Sequence, residues 1–253
     1  MILKVNFIAL MFIAVVFSAC NTQSVEYSEK AISHDMWDTL VGKYVSPVGN
    51  VDYIGFKKDS ALFNRYLDLL SNHHPHPKQW SRAEQIAYWI NAYNAFTVKL
   101  IIDHYPVESI KDVKAVNIPL VSSPWTIDFF EIGGQSFNLD KIEHGILRKD
   151  FDEPRIHFAV NCASVSCPKL RNEAFKADIL EEQLDSQTKY FLNESGKNKL
   201  SENQLQLSKI FNWFTRDFTK NGSLIDFLNQ YAKVEISKDA DIEYLDYNWD
   251  LNE

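Results

Sequence analysis

The stretch from Ser81 to His104 limits the fold more than any other. Ser81 followed by Glu84 is a capping box, in which each side chain accepts the other's backbone N–H at a helix start. Ile86, Ala87, Tyr88, Trp89, Ile90, Ala92, Tyr93, Ala95, Phe96, Val98, Leu100, Ile101 and Ile102 follow, apolar nearly all round. A helix of that kind is buried on all sides, so the chain has to wrap around it. Glu84, Asn91, Asn94 and Lys99 interrupt it, so it is not a membrane span. By their seven- and three-residue spacings, Glu84, Asn91 and Asn94 lie close to one face. Buried amides require partners, so these side chains either hold loop backbones or line a pocket.

The other elements are shorter. Helical spacing predicts one-faced helices over residues 29–41, from Ser60 to Leu70, over 175–191 and over 224–231. Asn138 can cap a short helix over Leu139–Leu147 that carries Glu143 and His144. Adjacent helical residues diverge by ~100°, so those two do not pair directly. Trp125–Phe137 reads as a β-hairpin turned by Gly133-Gly134, and Leu200–Ser208 as another around Glu202-Asn203. His73, His74 and His76 stand in a proline-broken loop with no thiol or carboxylate beside them, so a solvated loop is the reading there and not a metal site. No repeat, Gly-rich phosphate loop, Gly-x-Ser-x-Gly elbow or His-Glu-x-x-His occurs. The expectation is a single α+β domain over 31–253, with a small antiparallel sheet packed on the long helix and other helices around it.

The first residues follow another logic. Lys4, an apolar run from Phe7 to Phe17 and the small pair Ser18-Ala19 make a signal peptide over 1–19. Cys20 follows directly, as in a bacterial lipobox, though Phe17 stands where Leu is usual. The reading is lipidation at Cys20, a polar tether over 20–30, and a domain in the cell envelope, on the periplasmic or outer-membrane side, held to the membrane by the lipid anchor. Net charge is −8, without a basic cluster, which argues against a nucleic-acid partner. Cys162 and Cys167 are then an even pair in an oxidising compartment.

Those two thiols lie in Pro154–Pro168. Ile156, Phe158 and Val160 alternate with Arg155, His157 and Ala159, the period of a half-buried strand, before a loop of small residues. The tail Asp241–Asn252 is aromatic and extended, a segment that docks on the domain before it.

Three motifs together resemble the domain-of-unknown-function 547 family: Glu84–Thr97, Leu139–Arg148 and Arg155–Pro168. Val51-Asp52-Tyr53 is similar to an early motif of that family. Tyr244–Trp249 is similar to its closing motif, with Asp246 where proline is more usual. The resemblance spans roughly residues 48–252 and implies the extent of a domain, not a chemistry, since the family has no established activity.

Three readings of the cysteine loop stand side by side. A thiol enzyme would use Cys162 as nucleophile, with His144 or His157 as base and Glu143, Asn161 or Asn91 to orient it. Papain-like and transglutaminase-like folds usually seat their cysteine at the start of the central helix, and here that helix carries none. A Cys162–Cys167 disulfide would instead staple the loop. Zinc held by both cysteines, His144 and His157 is the weakest reading, because the spacing is not that of a zinc knuckle. The expected site is therefore a cleft around Cys162, His144, Glu143 and His157, backed by Asn91, Asn94, Asn161 and Glu84, with no metal and no cofactor. It belongs to a binding or scaffolding domain for an unknown protein or peptide; the alternative is a thiol-dependent hydrolase or acyltransferase acting on a peptide or amide.

Overall fold

A computed structural model describes residues 25–114 and 123–253. Cys20, the leader and part of the tether lie outside the described residues. In chain order the elements are β1 (Tyr27–Ser28), α1 (Asp35–Tyr44), α2 (Tyr53–Lys58), α3 (Ser60–Ser71), β2 (His74–Pro75), α4 (Arg82–His104), β3 (Phe130–Ile132) and β4 (Gln135–Phe137). Then come α5 (Leu139–Ile142), a π-turn (Glu143–Leu147), α6 (Arg148–Asp150), α7 (Leu180–Asn193), β5 (Lys199–Leu200), β6 (Gln204–Leu207), α8 (Lys209–Trp213), α9 (Thr215–Phe218), α10 (Leu224–Asn229) and β7 (Asp241–Tyr244). The architecture is α+β, as expected.

Helix α4 is the centre. Ser81 and Glu84 form the full capping box, and every residue from Ile86 to Val98 is buried. Helices α1, α2 and α3 pack on one side through Trp37, Phe56 and Tyr66. The β3–β4 hairpin covers another side. Gly133 and Gly134 both take positive φ at its turn, at 58° and 72°, where a Cβ would be disfavoured. Phe130 stacks on Phe96 with ring centroids 3.7 Å apart, and Phe137 stacks on Trp89 at 5.7 Å.

A second, smaller core forms around Phe158, Phe191, Leu207, Phe211, Phe218 and Leu228. The largest sheet belongs to this core and not to α4. It is mixed: β6 pairs antiparallel with β5 and parallel with β7. The single antiparallel sheet on the long helix is thus replaced by a hairpin there and a separate three-stranded sheet.

Two further expectations are corrected. Residues 156–160 are not a strand. Pro154 starts a 3₁₀ turn over Pro154–Phe158, and the Glu153 carboxylate accepts the Arg155 N–H. Proline presets the φ of a first helical residue, and no strand among the described residues pairs with this segment. The alternation in the sequence has another origin: Ile156, Ala159 and Val160 enter the large core while Phe158 enters the small one. The histidine loop is not simply solvated either. β2 pairs parallel with β1, and the His74 ring meets Tyr27 and Trp89 edge-on at 4.9 and 5.2 Å.

Candidate functional site

The 3₁₀ turn hands the chain to the cysteine loop, and α4 holds that junction. The Asn94 amide donates to the Ala159 carbonyl at 2.9 Å and accepts the Asn161 N–H at 2.8 Å. Asn91 does the same to Phe175, at 2.8 and 3.0 Å. Both asparagines satisfy buried backbone groups that would otherwise be unpaired. Of the two roles open to them, they hold loop backbones, and neither lines the cleft described below. Glu84 also stays out of it: its carboxylate accepts the Ser81 N–H at 2.6 Å at the exposed start of α4.

Asn161 closes the loop from inside. Its amide donates to the Pro168 carbonyl at 2.7 Å and accepts the Ala163 N–H at 3.0 Å. Between the thiols Ala163 takes φ 58°, a left-handed conformation that residues with a Cβ seldom adopt and that concentrates at functional sites. The C-terminal tail clamps the loop from outside. Val165 donates its N–H to the Asp250 carbonyl at 2.8 Å, and Asn248 donates its own to Ser166 Oγ at 2.8 Å.

Above this loop lies a cleft of about 180 Å³. Cys162, Cys167, Glu143, His144 and His157 all line it, so the four residues expected at the centre of the site do converge. Its walls are rings: Tyr93 from α4, Trp125, Trp213 and Phe214, and Tyr247 and Trp249 from the tail. Trp213 lies 4.8 Å from Tyr247 and 5.9 Å from Trp249 between centroids.

Each titratable group has its own setting. Glu143 begins the π-turn and is 8% exposed; burial pushes its carboxyl up, against the lowering effect of nearby His144. His144 points elsewhere, accepting from Arg148 Nη1 at Nδ1 over 2.8 Å, with Asp140 3.6 Å from Nε2. The two neighbours diverge, as adjacent helical residues do.

His157 is buried, and its ring stacks on Phe214 at 3.9 Å. Its Nε2 donates to Asp217 Oδ2 at 2.8 Å, and its Nδ1 has no partner among the described residues. Burial lowers its pKa to about 4 despite that carboxylate. Burial raises the Asp217 carboxyl, but bonds from His157 and Arg148 overcome this and hold it well below the usual carboxylate range. His157 is therefore a neutral, braced ring.

Cys162 and Cys167 are both free thiols. The Cys162 N–H donates to the Cys167 sulfur at 2.8 Å, and the Cys162 sulfur meets Ser164 Oγ and Tyr247 Oη at 3.3 Å each. Burial raises the Cys162 thiol; bonds from Cys167, Ser164 and Tyr247 outweigh it and bring it down to about 7. Cys167, fully inside, is pushed well above the ordinary thiol value by burial and by Cys162. No histidine bonds either sulfur among the described residues. No cluster of three or more His, Cys, Asp or Glu side chains arranged to hold a metal ion occurs among them. No helix among them is long and apolar enough to cross a membrane.

Asp217 and Tyr93 are site residues that the sequence did not indicate. Asp217 sits in a short segment without a motif, and Tyr93 is one aromatic among many on a buried helix. Tyr247 and Trp249 gave a partial signal, since the aromatic tail was expected to dock, though not to form a wall.

The fold and cleft together define an α+β domain built on one buried helix, with a thiol pair under an aromatic-walled opening. Residues 77–192 match the family described as "Protein of unknown function, DUF547". The match contains α4, the π-turn and the whole cysteine loop, and so most of the floor of the cleft. No curated protein and no solved structure matches the chain.

Proposed function

We propose that this chain is a binding domain of the cell envelope, anchored through lipid on Cys20, whose cleft takes an apolar or aromatic side chain of a peptide or protein ligand. One observation carries the binding role: aromatic rings from four separate segments converge on an opening of about 180 Å³, room for one large side chain. Such rings offer large, rigid contact area at small entropic cost. Glu143, kept neutral more readily by burial, can donate a hydrogen bond to a peptide carbonyl at the floor. The test is an array of short peptides probed with the protein and with Trp249→Ala. Selection of peptides with a large apolar residue, lost in the variant, supports the reading. Equal binding by both proteins rejects it. For the anchor, Cys20→Ser should move the protein from the membrane fraction to the soluble one; retention at the membrane counts against lipidation.

The second reading is thiol-dependent acyl transfer or hydrolysis on a peptide or amide. It is favoured by the lowered Cys162 thiol at the cleft. It ranks second because His144 is engaged by Arg148 and His157 by Asp217, leaving no base on the sulfur. A peptide bearing an electrophilic vinyl sulfone should label Cys162 under this reading, and an unlabelled protein removes it.

A further inference from the structure

The cysteine loop is folded so that its two sulfurs are neighbours before any bond joins them. Ala163 in its left-handed conformation and the Cys167 N–H to Ser164 carbonyl bond of 3.0 Å turn the chain back on itself. The Cys167 sulfur thereby lies 2.8 Å from the Cys162 amide nitrogen. The surroundings of the two thiols differ. Cys162 is half-buried with hydroxyls of Ser164 and Tyr247 on its sulfur, whereas Cys167 is 4% exposed. Donors on a sulfur favour its thiolate, and burial disfavours it.

We propose that Cys162 and Cys167 form a thiol–disulfide exchange pair, with Cys162 attacking a disulfide presented in the cleft and Cys167 resolving the product. The Cys162 thiolate attacks one sulfur of a substrate R–S–S–R′. A Cys162–S–R bond forms, the substrate S–S bond breaks, and R′S⁻ leaves and takes up the proton lost by Cys162. Cys167 then attacks the Cys162 sulfur as its thiolate. The Cys162–Cys167 bond forms, and RS⁻ leaves with the Cys167 proton. Two electrons pass from the pair to the substrate, which ends as two thiols. The loop needs no large rearrangement for the second step, because the resolving sulfur already lies against the attacked residue. The inference does not depend on which side chain the cleft prefers.

The unequal surroundings suit the two roles. The more exposed sulfur, carrying the hydroxyl donors, meets the substrate, and the enclosed one stays protonated until the mixed disulfide has formed.

The test uses 5,5′-dithiobis(2-nitrobenzoate), an aromatic disulfide that releases a coloured thiol, on the full chain carrying Cys20→Ser and solubilised in detergent. The reduced protein should release two coloured thiols per chain and end without an adduct, two hydrogens lighter. Cys167→Ser should stop after one release, with the adduct on Cys162. Cys162→Ser should react about tenfold slower or less. If either variant fails to fold, an early quench of the unsubstituted pair decides: the first adduct must map to Cys162. Two stable adducts per chain, a first adduct on Cys167, or no release from the folded protein overturns the proposal.

Discussion

The two cores are built in opposite ways. The larger is organised by one continuous helix whose burial is written into consecutive residues, Ile86 to Val98. The smaller has no such element. Phe158, Phe191, Phe211, Phe218 and Phe227 come from separate segments and meet, stacked or tilted, at 4.9–6.4 Å between centroids. A core of the first kind draws its stability from local structure and burial together; one of the second kind depends on long-range assembly. The cleft lies at their junction, where residues 154–168 send Ile156, Ala159 and Val160 into one core and Phe158 into the other. A site there takes its floor from the rigid side and several of its walls from the assembled side.

The largest effect should come from the hub of the assembled core. Phe158→Ala removes a fully buried ring and is expected to cost about 3–5 kcal/mol, measured by urea denaturation. A separate early transition would show that the small core unfolds by itself; one shared transition would show that the junction couples the two.

Acid should reach both cores through their buried histidines. His34, bonded to Tyr66 at 2.8 Å in the large core, and His157 at the junction each have their pKa lowered to about 4 by burial. The unfolded chain therefore binds more protons than the folded one between pH 6.5 and 4. Stability is complete above 6.5 and declines as pH falls through that window, by roughly 2–3 kcal/mol for each histidine at pH 4.5. Unfolding free energies measured from pH 7 to 4.5 should show this slope, and His34→Gln should remove a part of it without touching the cleft. A flat profile would mean that the two histidines titrate in the fold as they do in the unfolded chain.

Asn94→Ala tests the junction directly. It leaves the Ala159 carbonyl and the Asn161 N–H without their partner and should cost about 1–3 kcal/mol. It should also change the rate at which iodoacetamide alkylates Cys162, whereas Asn91→Ala, which holds Phe175, should cost similar stability and leave that rate unchanged. Equal effects of the two variants on the rate would dissolve the distinction.

The smallest change in stability should follow Tyr247→Phe, under about 1 kcal/mol, because one hydroxyl is lost at a half-buried place. Its signature is chemical. Without that donor the Cys162 thiol should titrate higher, and alkylation at pH 7 should slow several-fold while the rate at high pH is retained.

The same contrast explains what could be read in advance. The α4 helix, its capping box and the Gly133-Gly134 turn were legible because their signals are local: period, cap and turn residue. The convergence of Cys162, His144, Glu143 and His157 was legible through the motifs that carry them. The 3₁₀ turn at Pro154–Phe158 was not, because Ile156, Phe158 and Val160 are spaced like one face of a strand, although Phe158 enters a different core from the other two and His157 and Ala159 between them are buried as well. Asp217 was hidden for a related reason: its role comes from Arg148 and His157, 69 and 60 positions away. Asn91 and Asn94 were legible as buried amides, and only their partners decided between bracing a loop and lining a pocket.

The π-turn at Glu143–Leu147 sets the reading frame of the cleft. The Arg148 N–H reaches back five residues to the Glu143 carbonyl. In an ordinary α-helix residues five apart point about 140° away from each other; the wider turn brings them closer to one face. That is how Glu143 can stand at the floor beside Tyr93 while Arg148 holds Asp217. Removing a single residue from this turn would leave the composition of the segment almost untouched and rotate one carboxylate out of register with one guanidinium. Length at this point, more than the identity of any one side chain, is what the site cannot exchange.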